Sequence, residues 1–224
     1  MIDTVLFDFD GTLVDSEPNY AVSDCRMVAR FGGDLSIEEH DAYVGYGSKR
    51  FLKAMKERYH IDATLQEMRA VQDECYLALA REDTPVFPVM KELLENLRNR
   101  GITMAVASGT PQSLLEELLY QTGLNPYFKL ILSSETTGKA KPEPQVFLKA
   151  AEILGKKKEN CLVLEDSLSG AQAGVRAGME TLVLVSPYLK NRIHEFPKEA
   201  RLIAGGMEEF HKDHVLSRVC GPNS

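Results

Sequence analysis

The sequence predicts an α/β fold in which a parallel sheet has helices on both faces and carries an inserted all-helical domain. Short apolar runs of β-forming residues alternate with amphipathic stretches of about ten residues, a pattern typical of βαβ units. This alternation stops between residues 16 and 83, where the apolar spacing is helical throughout. We therefore expect a core of residues 1–15 and 84–224, interrupted by a helical domain of residues 16–83.

Each predicted strand of the core is a short apolar run, and the predicted helices carry start or stop signals. The strands are expected at residues 4–7, 102–107, 130–132, 161–164 and 181–185. The core helices are expected at residues 90–97, 111–121, 144–154 and 168–177. Pro111 suits the first position of its helix, so Thr110 is predicted to be the N-cap. Gly101 and Gly178 are predicted to end two of the helices, because glycine readily adopts the left-handed conformation found past a helix end.

Composition argues against several classes of function. The formal net charge is −7, whereas a nucleic-acid partner requires a positive face, so none is expected. No uninterrupted apolar run exceeds six residues, and even the run at residues 102–107, which contains one threonine, is far shorter than the roughly 20 residues of a membrane span. The cysteine spacing fits neither a zinc site nor a CxxC motif, and no secretory signal is recognisable. We therefore expect a cytoplasmic protein with free thiols and no membrane partner, and we expect it to be a monomer. The isolated residues His40, His60 and His194 are expected at the surface.

Polar side chains follow the predicted strands. In open parallel sheets, ligands bind outside the carboxyl ends of the strands, so these positions form the candidate site. In chain order they are Asp8 and Asp10, then Ser108, Gly109 and Thr110, then Lys141, and finally Glu165 and Asp166. Carboxylate oxygens suit Mg²⁺, whereas a hydroxyl, helix-start amides and a lysine suit a phosphate. The sequence thus indicates a magnesium and phosphate site.

Four of these segments resemble the motifs of the haloacid dehalogenase (HAD) superfamily, in family order. The first is DFDGTLVD at residues 8–15 and the second is SGT at residues 108–110. The third is KPEP at residues 141–144 and the fourth is LEDS at residues 164–167. The resemblance implies a Rossmann-like core, with the helical insertion as a C1-type cap similar to that of the β-phosphoglucomutase and sugar-phosphatase branch.

The resemblance also implies covalent catalysis on two aspartates. Asp8 would attack phosphorus and form an aspartyl-phosphate. Asp10 would protonate the leaving oxygen and then accept a proton from the attacking water. Mg²⁺ would bind Asp8, the backbone carbonyl of Asp10 and Asp166. Glu165 would join the metal either directly or through water.

The phosphate and the leaving group are expected to be held by different parts of the chain. Ser108 and the amides of Gly109 and Thr110 would bind phosphate oxygens. Lys141 would neutralise the phosphate together with the nucleophile. In a capped site, residues of the cap recognise the leaving group. Here these are residues 46–50, so Lys49 and Arg50 are predicted to contact substrate.

The predicted function is a Mg²⁺-dependent phosphatase that acts on a small phosphorylated metabolite such as a sugar phosphate. A β-phosphoglucomutase-type phosphomutase is the alternative, although Tyr20 and Val44 stand where such mutases carry a histidine and a lysine. Dehalogenases of the superfamily do not use the second aspartate of the first motif, so the presence of Asp10 disfavours dehalogenation. A non-catalytic module with this fold usually lacks an essential acid or metal ligand, whereas this chain has them all.

Overall fold

The computed structural model describes residues 1–43 and 48–219. The predicted departure from mutases at Val44, and the rest of residues 44–47, lie outside the described residues. The chain forms two compact units, Met1–Asp15 with Pro85–Ser224, and Ser16–Thr84. Thr84 belongs to the helical unit, one residue later than the predicted boundary, and its hydroxyl donates to the carbonyl of Ala80 at 2.7 Å.

The first unit is built on a parallel sheet, whose strands are β1 (Thr4–Phe7), β2 (Thr103–Ser108), β3 (Leu130–Ser133), β4 (Cys161–Glu165), β5 (Glu180–Leu184) and β6 (Arg201–Ile203). They lie side by side in the order β3-β2-β1-β4-β5-β6. The residues of β1, β2 and β4 are buried throughout, as expected for central parallel strands covered on both faces. The predicted fold class is confirmed, and each predicted strand lies within a residue or two of its expected place.

The α-helices divide between the units in chain order. The helical unit contains α1 (Glu17–Arg30), α2 (Ile37–His40), α3 (Ser48–Arg58) and α4 (Leu65–Glu82). The sheet unit contains α5 (Pro88–Asn99), α6 (Gln112–Gln121), α7 (Gln145–Ile153), α8 (Leu168–Arg176) and α9 (Asp213–Leu216). In the helical unit α1 packs along α4, and the apolar faces of these helices and α3 form its core. No helix among the described residues is long and apolar enough to span a membrane.

The prediction that His40 lies at the surface is wrong. His40 is 4% exposed, and its Nε2 lies 2.8 Å from Oδ2 of Asp24. The side-chain amide of Gln72 donates to the other oxygen of Asp24. The carboxylate supplies the hydrogen-bond partner that lets the imidazole be buried. His60 and His194 are exposed, as predicted.

The strand order places the candidate site at a topological switch point. The chain builds outward from β1 through β2 to β3, and then returns to add β4 on the other side of β1. Ligands of open α/β sheets bind in the crevice at such a reversal, outside the carboxyl ends of the strands. Asp8 directly follows β1, Ser108 ends β2, and Glu165 ends β4.

Candidate active site

The end of β1 leads into a tight turn that brings the carboxylates of Asp8 and Asp166 together. The amide of Asp8 donates to the carbonyl of Leu164 at 2.9 Å, which extends the pairing of β1 with β4 by one residue. Gly11 follows with φ +71°, and a Cβ there would lie 2.3 Å from Oδ2 of Asp166. Glycine at this position therefore serves both the left-handed turn and the close approach of the Asp166 carboxylate.

A buried lysine joins two of the carboxylates. Lys141 Nζ lies 2.5 Å from Oδ1 of Asp8 and 2.6 Å from Oε1 of Glu165. The side chains of Lys141, Asp8 and Glu165 are 8%, 9% and 1% exposed, respectively. The ammonium also lies 5.0 Å from the centroid of the Phe147 ring. Such charge-assisted bonds, shielded from water, fix the orientation of the Asp8 carboxylate.

The burial of these groups shifts their proton affinities. Burial raises the pKa of the Asp8 carboxyl to about 8; the charge of Lys141 opposes this shift, and those of Glu165 and Asp10 add to it. Burial by itself would lower the pKa of Lys141, but the two carboxylates outweigh it and raise that pKa above its ordinary value. Lys141 is therefore a fixed positive charge, whereas Asp8 lacks enough positive charge nearby to stabilise its anion fully.

Glu165 is held by donors on both of its oxygens. Its Oε2 accepts hydrogen bonds at 3.0 Å from the amides of Asp166 and Ser167 and from the Ser167 hydroxyl. Its Oε1 accepts from Lys141. The Ser167 hydroxyl in turn accepts from the amide of Gly170 at 3.0 Å, so Ser167 caps the N-terminus of α8. Glu165 thus anchors the β4–α8 turn and the lysine at the same time.

The donor set fits a divalent cation. Asp8, Glu165 and Asp166 each offer a carboxylate oxygen, and these atoms all lie within 4.8 Å of one another. Asp8 and Glu165 pair with Lys141 and Asp166 adds a third carboxylate, so the carboxylates of the cluster outnumber this ammonium. Hard oxygen ligands with that excess suit Mg²⁺ better than a softer transition metal.

Gly170, in the first turn of α8, has no side chain and so leaves room for the Glu165 carboxylate. A Cβ at Gly170 would lie 1.7 Å from Oε1 of Glu165. Gly170→Ala should therefore displace Glu165, release Lys141 and lower kcat/KM by about 100-fold, the cost of a misplacement of about 1 Å. The predicted phosphatase activity of the purified variant, compared with that of the wild type, measures this loss.

Gly174→Ala is the matched control on the same helix. Its Cβ would crowd Oγ1 of Thr181 at 2.5 Å, so the variant should lose stability while it keeps the geometry at Glu165. Equal activity losses in the Gly170 and Gly174 variants would show that general damage to α8, and not displacement of Glu165, causes the effect.

The turn after β2 holds the second group of candidate residues. Ser108 is 1% exposed and Thr110 is 5% exposed, whereas Gly109 is exposed. The prediction that Thr110 caps the next helix is wrong: Pro111 occupies the N-cap position of α6, and the Thr110 hydroxyl donates to Oδ2 of Asp10. The turn therefore joins the ends of β1 and β2 through side chains.

The remaining predicted residues belong to the helical unit. Lys49 and Arg50 occupy the first turn of α3 in the helical unit and are exposed. Their contact with substrate stays a prediction. In the sheet unit, the structure brings together Asp8, Lys141, Glu165 and Asp166, and it joins Asp10 to Thr110.

The family model for haloacid dehalogenase-like hydrolases matches residues 2–178 of the chain. The chain belongs to this family. A phosphoglycolate phosphatase of Aquifex aeolicus is 32% identical over 192 residues, which cover 83% of this chain and 86% of that protein. A phosphorylated carbohydrates phosphatase of Thermotoga maritima is 29% identical over 181 residues, covering 81% and 84% of the two chains.

Solved structures of the family share this fold. A crystal structure of a Thermotoga maritima protein, provisionally assigned as a β-phosphoglucomutase, has a TM-score of 0.75 and 27% sequence identity. The match covers 97% of this chain and 100% of that chain. The predictions of a HAD-like enzyme and of the phosphatase class are confirmed by these comparisons.

Proposed function

We propose that this protein is a Mg²⁺-dependent phosphatase that hydrolyses a small phosphorylated metabolite, a sugar or polyol phosphate, through an aspartyl-phosphate on Asp8. The observation that carries the proposal is the buried Asp8 carboxylate, 2.5 Å from Lys141 Nζ, in a cluster with two further carboxylates. An ion pair of this kind orients a nucleophile and leaves its second oxygen for other contacts.

In the first step, an oxygen of Asp8 attacks phosphorus and the bond between phosphorus and the leaving oxygen breaks. The carboxylic acid of Asp10 gives its proton to that oxygen, so the product leaves as a neutral alcohol. Asp10 is then a carboxylate and Asp8 carries the phosphoryl group. The Gly109 amide holds a phosphoryl oxygen, and Lys141 offsets the charge of the phosphoryl group. The Ser108 hydroxyl donates to Thr110 Oγ1, so it is not assigned the predicted phosphate contact.

In the second step, a water oxygen attacks the phosphorus of the aspartyl-phosphate and gives a proton to the Asp10 carboxylate. The bond between phosphorus and the Asp8 oxygen breaks, which releases inorganic phosphate and restores both aspartates. Asp10 thus acts first as an acid and then as a base, so both steps depend on the orientation of its side chain.

Asp8, Asp166 and the backbone carbonyl of Asp10 are the residues that would hold Mg²⁺. When bound, the cation supplies positive charge that lets two anions approach and that stabilises the transition state. Glu165 is engaged on both oxygens by Lys141 and by donors of its own turn. We therefore assign it the role of holding Lys141 and the Asp166 backbone, with any contact to the metal made through water.

A panel of phosphate monoesters tests the proposal. The purified protein with Mg²⁺ should release inorganic phosphate from sugar phosphates, polyol phosphates and phosphoglycolate, with a clear preference among them. Asp8→Asn protein, purified in parallel, measures any contaminating phosphatase. The proposal would be contradicted if the protein released phosphate from no member of the panel.

The phosphomutase alternative is supported by the structural likeness to the Thermotoga maritima protein. Tyr20, which stands where mutases carry a histidine, stacks on Tyr76 with ring centroids 4.2 Å apart and offers no imidazole for proton transfer. Incubation with β-glucose 1-phosphate and a trace of the 1,6-bisphosphate separates the two functions. A phosphatase releases phosphate in step with substrate loss, whereas stoichiometric glucose 6-phosphate would favour the mutase.

A further inference from the structure

The hydroxyl of Thr110 ends a directed chain of hydrogen bonds. The Thr110 amide donates to Ser108 Oγ at 3.2 Å, and the Ser108 hydroxyl donates to Thr110 Oγ1 at 3.2 Å. Each hydroxyl has one proton to donate. Ser108 donates its proton to Thr110, and Thr110 donates its own to Oδ2 of Asp10. Bonds in such a chain polarise and strengthen one another.

Thr110 is tied to this geometry by its surroundings. Its side chain is almost fully buried, and Pro111 instead of Thr110 takes the N-cap position of α6. The Ser134 hydroxyl donates to the carbonyl of Ser108 at 3.0 Å, which fixes the start of the turn. Both Thr110 donors, the amide and the hydroxyl, are therefore engaged within the protein.

We propose that Thr110 is a positioning residue, whose hydroxyl holds the Asp10 carboxyl in the orientation from which protons pass to the leaving oxygen and from water. This inference rests on the proposed function, and it replaces the predicted phosphate contact of Thr110. The backbone of Asp10 is set by the turn after β1, which includes the hydrogen bond from the Leu13 amide to the Phe9 carbonyl at 2.9 Å. Thr110, from the neighbouring strand, sets the side chain.

The leaving group distinguishes this role from phosphate binding. An alkyl phosphate needs a proton on its leaving oxygen, whereas p-nitrophenyl phosphate releases a stabilised anion and needs none. Thr110→Val keeps the shape of the side chain and removes the hydroxyl. It should lower kcat/KM for glycerol 3-phosphate by about 10- to 100-fold, part of the 10²–10⁴ that general acid catalysis provides. For p-nitrophenyl phosphate the loss should be less than about threefold.

Two further variants complete the experiment. Thr110→Ser restores the hydroxyl and should recover most of the lost kcat/KM for glycerol 3-phosphate. Thr181→Val removes another buried hydroxyl of the same unit, which donates to the Met179 carbonyl at 3.2 Å. It should leave the ratio of the two kcat/KM values unchanged, even if the melting temperature falls.

The possible results separate the two proposals. Equal losses for both esters with a raised KM would overturn the positioning role and restore the phosphate contact, and unchanged kinetics in Thr110→Val would also overturn it. In either case the wild-type enzyme still turns over. If glycerol 3-phosphate is not a substrate, the alkyl phosphate of the panel that the wild type hydrolyses fastest takes its place. Absence of phosphate release by the wild type from the whole panel and from p-nitrophenyl phosphate would instead be a failure of the proposed function, and the role of Thr110 would fall with it.

Discussion

Replacing Asp8 by asparagine should abolish hydrolysis. An amide nitrogen or oxygen is a poor nucleophile toward phosphorus, and the variant also loses the carboxylate that pairs with Lys141 at 2.5 Å. Loss of a covalent nucleophile costs on the order of 10⁶-fold in kcat. Phosphate release from the best substrate of the panel measures the loss. A variant that keeps a tenth of the wild-type rate would disprove the assignment of Asp8 as nucleophile.

The variant must be shown to fold, and the geometry predicts that it does. Asp8→Asn removes one of the two buried carboxylates that pair with Lys141, next to the third carboxylate of Asp166. Without metal the variant should therefore melt no lower than the wild type, as is common when a strained functional group is neutralised. Asp3→Asn, before the start of the same strand, is the control: it removes an ion pair with Lys156 at 3.2 Å and should leave activity intact.

A second measurement locates the phosphoryl group. Rapid acid quenching of the wild-type enzyme during turnover should trap phosphate on a peptide that contains Asp8. The trapped peptide should be absent from the Asp8→Asn variant. Phosphate found only as the free ion, at every quench time within the first turnover, would indicate direct attack by water instead of a covalent intermediate.

Much of this site is predictable from sequence because each strand ends where an apolar run changes to a polar residue. Phe7 is the last apolar residue of one run and Asp8 the first polar one, and the same change marks Ser108 and Glu165. The carboxyl ends of parallel strands meet at one edge of the sheet, so the sequence predicts that residues more than 150 positions apart lie together. The direction of the chain, and not detailed packing, carries that inference.

Residues whose partners are distant in sequence were not predictable in this way. The sequence predicts Thr110 as the cap of the helix beside it, whereas its hydroxyl donates to Asp10, 100 residues away. It predicts His40 at the surface because no local pattern signals the buried Asp24 carboxylate that lies beside the imidazole. Strand β6 has three residues, and Arg201 in it is exposed, so it lacks the apolar run on which strand prediction depends.

Removal of divalent cations should abolish turnover, and added Mg²⁺ should restore it. The physical reason is the excess of carboxylates over positive charge in the cluster of Asp8, Glu165 and Asp166. A phosphate monoester would add further negative charge to that cluster. Lys141 alone can offset only part of it, so the cation is expected to be essential and not merely stimulatory. Full activity in excess EDTA would refute the metal assignment.

Asp166→Asn tests which residue binds the cation. The substitution keeps the shape of the side chain that approaches Gly11, but it removes a negative ligand. The Mg²⁺ concentration for half-maximal activity should rise by more than about 100-fold, beyond what loss of an outer-sphere partner costs. Asp213→Asn, an exposed position on α9, is the matched control and should leave the Mg²⁺ requirement unchanged.

Thermal unfolding provides a readout that does not depend on catalysis. A ligand at 100 times its Kd stabilises the folded state by about 2.7 kcal/mol, which corresponds to a rise of about 5–10 °C in Tm for a chain of this size. The wild type should show this rise when Mg²⁺ replaces EDTA, and Asp166→Asn should not. If the variant loses activity yet keeps the full Mg²⁺-dependent rise, the cation binds elsewhere, and the role of Asp166 lies in the chemistry and not in holding the metal.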